Sequence, residues 1–189
     1  STDINNNYMP IDSMQQLAMG NADPAIPLNY TGNLFDPTPP VGGALADVVT
    51  MFYNYNTQTQ WQYDPLSGGY LRFTDMADGT GDFYPALDRM TGRQLVFNNV
   101  VILFADHQVL NGEGTVIDVA LEGVRRKALV FRNGAMYQVW WNTLNGEYEQ
   151  ATGMDRPIRF EYEDGTPFPM APGNTWVHIV SNGMSYYQE

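Results

Sequence analysis

The sequence predicts a mainly β protein. Its antiparallel sheets are expected to form a sandwich or a barrel-like body, with one or two short helices and α+β character at the margin. Three observations predict this class. Aromatic residues make up 13% of the 189 residues, beside 18 Gly and 12 Pro, a composition suited to strands and turns. Short apolar, β-branched or alternating runs recur along the chain. Turn pairs separate several of them, at Thr91-Gly92, Asn133-Gly134, Asn145-Gly146 and Asp164-Gly165.

The elements follow in order. Residues 1–43 read as a leader with a short helix and an extended connector, and residues 44–189 as a β-rich C-terminal domain. In "IDSMQQLAMG" Asp12 or Ser13 can cap a helix, Met14, Leu17 and Ala18 keep helical spacing, and Gly20 can end it. The connector is rich in Asn, Pro and Gly, with Leu34-Phe35 as a short strand inside it. "LADVVTMFYNYN", "TQWQYD" and "GGYLRFTD" then read as strands. "RQLVFNNVVILFADHQVL" is long enough for one bent strand or two. "GTVIDVALEG" alternates, with Val116 and then Val119 or Leu121 facing inward. "PIRFEYEDG" and "TWVHIVSNG" close the chain.

The clearest local signal is "ALVFRNGAMYQVWWNT", residues 128–143. Asn-Gly favours a two-residue type I′ turn, because both residues tolerate positive φ. Counting outward pairs Arg132 with Ala135, Phe131 with Met136, Val130 with Tyr137, Lys127 with Trp140 and Arg126 with Trp141. One face then carries Leu129, Phe131, Met136 and Trp140 and reads as core. The other carries Arg126, Val130, Arg132, Tyr137, Val139 and Trp141. There Trp141 is expected to face outward against Arg126 in a cation–π contact.

Charge and composition exclude several function classes. The net charge is 9 − 21 = −12, and no Lys or Arg precedes Arg72. Such a field repels a phosphate backbone, so nucleic acid is not an expected partner. The chain has no cysteine, which rules out disulfides, thiolate zinc sites and thiol nucleophiles. No apolar run is long enough to cross a bilayer, so membrane insertion by this segment is not expected. "STDINNNYMP" is not a signal peptide, and any export signal or lipid anchor is expected upstream.

From the hairpin outward the sequence resembles the C-terminal domain of the YerB-type bacterial lipoproteins, a domain of unknown function (DUF3048). The landmarks come in order. "YDPLSGGYLRF" contributes Tyr63-Asp64, Tyr70 and Arg72. "LDRMTGRQLVFNNVVIL" contributes Asp88, Thr91-Gly92 and Asn99-Val100. "LEGVRRKALVFRNGAMYQVWW" contributes a glycine, an apolar run, Asn-Gly and a tryptophan. "PIRFEYEDGTPFPMAPGNTWVHIV" contributes Asp164-Gly165, Pro172-Gly173 and Trp176. "NNNYMPIDSMQQLA" is similar to the stretch that leads into this domain. Members of the family tend to have Gly-x-Trp where this chain has Val139-Trp140-Trp141, which makes Trp141 the family-type tryptophan and Trp140 an addition. "TDMADGTGDFYPALD" is also longer than the usual link. The resemblance implies an exported bacterial protein, tethered to the membrane through a lipid anchor upstream, with a larger N-terminal domain. It implies no chemistry.

Candidate sites are few. His107 and His178 lie on strands, where a histidine is usually structural. Gly-x-Ser-x-Gly, Ser-x-x-Lys and phosphate-binding glycine motifs are all absent. No pair of carboxylates is marked out by spacing for glycoside hydrolysis. Asp75, Asp78 and Asp82, set around Gly79 and Gly81, could offer hard oxygen ligands to calcium, although their spacing is not that of an EF-hand and a solvated hairpin loop is the commoner use of such a stretch. No cofactor is expected. Arg125, Arg126 and Lys127 are three of nine cations and read chiefly as partners of internal salt bridges. Trp61 and Tyr63 share one strand face and form an aromatic strip that can stack on sugar rings or hold a peptide; filling a β core is the commoner use. The expected role is a non-catalytic, extracytoplasmic binding or scaffold module of the bacterial envelope, with candidate contacts Trp61, Tyr63, Arg126 and Trp141. Expected partners are cell-wall glycan, an envelope protein or the protein's own N-terminal domain. The alternative is a hydrolase of cell-wall glycan or peptide.

Overall fold

The structure, a computed structural model, describes residues 12, 13, 16 and 32–189, except 55, 56, 78, 79, 114, 115 and 155. Most of the leader helix therefore lies outside the described residues; Asp12, Ser13 and Gln16 are helical. Sixteen strands and one longer helix follow among the described residues. They are β1 (Leu34–Phe35), β2 (Ala44–Leu45), β3 (Val48–Asn54), β4 (Thr57–Asp64), β5 (Gly69–Asp75), β6 (Phe83–Pro85), β7 (Val96–Phe97) and β8 (Asn99–Ala105). Next come β9 (His107–Val109), β10 (Ile117–Val119), β11 (Arg125–Arg132), β12 (Ala135–Asn142) and the helix α1 (Glu147–Thr152). The chain closes with β13 (Arg159–Glu161), β14 (Pro169–Met170), β15 (Thr175–Ser181) and β16 (Ser185–Gln188). The molecule is mainly β, as its composition predicts, and its sheets do not close into a barrel.

Two six-stranded sheets make the body. The first runs β13-β12-β11-β8-β15, with β2 added to β12. The second runs β16-β3-β4-β5-β6, with β7 added to β5. All pairs in them are antiparallel except β8 with β15. β8 reads NVVILFA, continuously apolar after its first residue, because it is covered on both sides. Val100 and Ile102 join a core between the two sheets with Val49, Met51, Trp61, Tyr70, Leu129, Phe131 and Val180. Val101, Leu103 and Ala105 join a second core on the opposite face, with Val130, Val139, Trp141, Phe160, Phe168 and Met170.

The hairpin register is the one the turn predicts. Arg132 pairs with Ala135, Phe131 with Met136, Lys127 with Trp140 and Arg126 with Trp141. Asn133 (φ 53°) and Gly134 (φ 72°) both take the positive φ of a type I′ turn. No bulge interrupts the pairing. The face expected to be core is core at Leu129, Phe131 and Met136, with Trp140 partly exposed; the role expected of the other face is corrected. The face expected to be open, with Val130, Tyr137, Val139 and Trp141, is buried in the second core. The segment after β12 supplies that cover, and an alternating strand cannot reveal it. Val116, expected inward, is exposed, whereas Val119 and Leu121 pack against the second core.

Arg132 closes one end of this core. It is fully buried and has no ion pair among the described residues. Its guanidinium donates to the carbonyls of Pro169, Asp36 (2.9 Å) and Pro37 (3.3 Å) and to Oδ1 of Asn133 (3.0 Å). It thus ties the connector and β14 to the hairpin tip. β1 pairs in parallel with β14, and the Tyr137 hydroxyl donates to the Pro40 carbonyl at 2.8 Å.

The helix α1 was not expected from its apolar spacing, because it has almost none. Its ends explain it. The Gly146 N–H donates to Glu149 Oε2 (2.9 Å), and Gly153 ends the helix with φ 67° while its N–H donates to the Glu149 carbonyl. Glu149 also accepts from Arg156 and from Arg159 (3.3 Å). Those bonds, Arg156 first, hold its carboxyl down at about 2.

The two sheets meet along β15, where Arg72 of β5 lies on Trp176, while Trp61 of β4 and Tyr53 of β3 reach His178. β16 forms one edge of the second sheet.

Candidate functional site

The largest aromatic cluster lies inside the sandwich. The Trp61 indole N–H donates to Nε2 of His178 at 2.9 Å, and the ring packs against Phe97 and Trp176 with centroids 5.6 and 5.5 Å away. An indole nitrogen only donates, so Nε2 carries no proton. The neutral ring therefore holds its proton on Nδ1 and donates it to the Tyr53 oxygen. Burial, with Arg72 as a second cause, lowers the His178 pKa to about 4. Burial likewise raises that of Tyr53. Arg72 lies 4.7 Å over the Trp176 ring, and its Nε has no hydrogen-bond partner among the described residues. This cluster holds the two sheets together. His178 is 3% exposed, and both its ring nitrogens are engaged by Trp61 and Tyr53.

The open site lies on the β11–β12 hairpin, beside β16 at the edge of the second sheet. A cleft of about 610 Å³ is floored by Lys127, Leu129, Gln138 and Trp140 and walled by Tyr186, with Asn182 at one side and Glu163 at the other. The floor residues share a face because Lys127 pairs with Trp140 and Leu129 with Gln138. Leu129 continues into the inter-sheet core. The Trp140 ring is partly exposed, with Arg125 at 4.6 Å and Lys127 at 5.9 Å from its centroid.

Most of the local charge is already paired. Arg125 holds Glu161 and the carbonyls of Tyr162 and Glu163. Arg126 holds Asp106 at 3.0 Å, and that bond, with one from Asn182, lowers the Asp106 pKa. Lys127 has no ion pair among the described residues. The cleft thus offers two aromatic faces, the amides of Gln138 and Asn182, one free ammonium and one carboxylate. This set can stack on a ring and hydrogen-bond its substituents. A second hollow of about 550 Å³ lies beside Leu121, Thr143 and Arg156, and its arginine is committed to Glu149.

The residues singled out from sequence fall in different places. Trp61 and Trp141 are both 0% exposed. Trp61 belongs to the inter-sheet core, and Tyr63 packs beside it with its ring 5.5 Å from Tyr70. The expected aromatic strip is therefore an interior feature. The outward orientation expected of Trp141 is also corrected: its indole N–H donates to the Phe104 carbonyl at 2.9 Å within the second core. The outward tryptophan is Trp140, and the cations over it are Arg125 and Lys127 rather than Arg126. Arg126 does line the cleft, and it is the one residue of the four that the structure places there. Asp75 accepts the Ala77 N–H, the Asp82 N–H donates to Thr80 Oγ1, and Asp78 lies outside the described residues. Among the described residues no three His, Cys, Asp or Glu side chains are grouped to hold a metal.

Sequence reasoning missed Trp140, Gln138, Asn182 and Tyr186 as site residues. The adjacent tryptophans did carry a signal, since only one can enter a given core. Which one stays out depends on chain distant in sequence.

The comparisons with known proteins agree with this architecture. Residues 49–177, more than half of the chain, match the family model "Protein of unknown function (DUF3048) C-terminal domain". A Bacillus subtilis protein described as "Putative lipoprotein YerB" is 28% identical over 127 residues, covering 67% of this chain and 32% of its own length. The chain thus spans about a third of that relative. The crystal structure of the Bacillus subtilis YerB protein has the same fold, with a TM-score of 0.62 at 23% identity, over all of this chain and 57% of its own. No helix among the described residues is long and apolar enough to cross a membrane. The chain belongs to the DUF3048 family, whose C-terminal domain of unknown function it carries.

Proposed function

We propose that this domain is a non-catalytic binding module of a bacterial envelope lipoprotein, acting outside the cytoplasm, and that its cleft takes a segment of cell-wall glycan. One observation carries the reading: a partly exposed tryptophan, Trp140, lines the cleft together with Tyr186 and the uncharged amides of Gln138 and Asn182. Sugar rings have an apolar face that stacks on indole, and hydroxyls that amides can both donate to and accept from. Gln138 has no hydrogen-bond partner among the described residues, so its amide is available. Asn182 donates to Asp106 at 2.8 Å and keeps its carbonyl free. Lys127 suits a carboxylate on the polymer. The relative's description as a lipoprotein supports an envelope location, with the anchor carried elsewhere in a longer protein.

Hydrolysis would need a carboxylate free to change protonation at the cleft. Two carboxylates lie near: Asp106, whose bond to Arg126 lowers its pKa, and Glu163, which lines the cleft, so the hydrolase stays the alternative reading. The test is co-sedimentation with purified peptidoglycan, comparing the native chain with Trp140→Ala. Retention should drop about tenfold, equivalent to about 1.4 kcal/mol, and no soluble fragments should appear. Equal retention of both proteins, or none by either, would overturn the glycan reading. Released fragments would replace it with the hydrolase.

A further inference from the structure

Among the described residues the strand β15 is an edge of the first sheet and pairs only with β8, in parallel, with Thr175 beside Asn99 and Val177 beside Val101. The Asn99 N–H donates to the Asn174 carbonyl at 3.1 Å. In a parallel ladder that bond fixes the phase: Trp176, His178 and Val180 direct their N–H and C=O groups toward β8. Thr175, Val177, Ile179 and Ser181 direct theirs away. Among the described residues only the Ser181 carbonyl has a backbone partner there, the Met184 N–H.

Protein edges are normally blunted by charge, proline, a bulge or shortness. β6 ends in Pro85, and β13 has three residues. β15 has seven, TWVHIVS, with no charged side chain, no proline and no break in register. Val177 and Ile179 are each 41% exposed on one face.

We infer that β15 is a dimerisation edge, joining a second copy of this chain in antiparallel fashion about a two-fold axis at His178. A two-fold axis makes the same edge serve both partners, and the pattern is self-complementary in this register. Val177 meets Ile179 of the second copy, and Thr175 meets Ser181. All four are outward-directed residues, so each pair can exchange main-chain hydrogen bonds. Moving the axis by one residue either way leaves one exposed apolar side chain opposite Thr175 or Ser181. Only the axis at His178 gives both an apolar partner. The join would extend one six-stranded sheet across two molecules. Each copy carries a charge of −12, so association should tighten as salt screens the repulsion.

The test is sedimentation equilibrium of the full chain from about 1 to 500 μM at low and moderate salt. A monomer–dimer equilibrium that strengthens with salt is expected. Val177→Lys, at an exposed position, should leave the circular dichroism unchanged and weaken association at least tenfold. The chain has no cysteine, so register can be read directly. A mixture of Val177→Cys and Ile179→Cys proteins, oxidised, should cross-link more completely than either alone. A monomer at every concentration, a dimer indifferent to Val177→Lys, or equal cross-linking in all three samples would each overturn the proposal. None of these outcomes bears on glycan retention.

Discussion

Trp140 and Trp141 are neighbours in sequence and lie on opposite faces of one strand. Trp141 is wholly enclosed, and its indole proton is satisfied by a carbonyl. Trp141→Ala should therefore cost about 3–5 kcal/mol in urea unfolding. Trp140 loses mainly its contacts with Arg125 and Lys127, worth about 0.5–1 kcal/mol each when exposed. Trp140→Ala should thus cost about 1–2 kcal/mol; a loss matching that of Trp141→Ala would place Trp140 in the core and remove it from the cleft. His178 gives a residue-scale prediction in pH. Its ring is neutral in the folded chain, with a pKa near 4, against about 6.5 when unfolded. Below 6.5 the unfolded state takes up a proton that the folded state refuses. Stability is thus fully present above pH 6.5 and falls as pH drops toward 4, by about 3 kcal/mol. His178→Gln, whose amide does not titrate, should flatten the unfolding free energy across that window. An unchanged slope in the variant would assign the effect to other groups.

At the scale of elements, the hairpin β11–β12 is specified twice. Its turn pair sets the register, and the packing around the turn then enforces it. A Cβ on Gly134 would meet the Tyr63 ring at 2.8 Å, at a φ of 72°. Gly134→Ala should cost more than 1 kcal/mol, since strain and overpacking act together. Gly92→Ala, at a similar φ with nothing within 4 Å, isolates the backbone share. If the two variants unfold at the same urea concentration, the Tyr63 contact contributes nothing. Arg132 shows why a buried cation persists without a counter-ion. Four neutral acceptors from three separate segments converge on it, and a lysine cannot reproduce that fork.

At the scale of the molecule, the two sheets are not separable units. β8, β11 and β15 contribute to the inter-sheet core, and β8 and β11 also to the core beyond it. The chain passes from one sheet to the other between β2 and β3, β7 and β8, and β15 and β16. Unfolding should therefore be one cooperative event. Tryptophan fluorescence, which reports Trp61 and Trp141 in different cores, should give the same midpoint as far-ultraviolet circular dichroism. Two separated midpoints would mean that one core melts before the other.

The sequence by itself determined the β class, the family and the hairpin register. The class and the register rest on local rules: period-two alternation and Asn-Gly turn geometry. It did not determine which face of the central sheet is covered. Alternation tells one face from the other, but both faces of β8 and β11 are buried. Their covers come from far along the chain, Phe160, Phe168 and Met170 on one side and Trp61 and Tyr70 on the other. The tertiary structure alone therefore decided that Trp61 and Trp141 are core. It decided too that the cleft opens beside Trp140, because β16, the edge strand of the second sheet, brings Tyr186 to the face of the hairpin that carries Lys127 and Trp140.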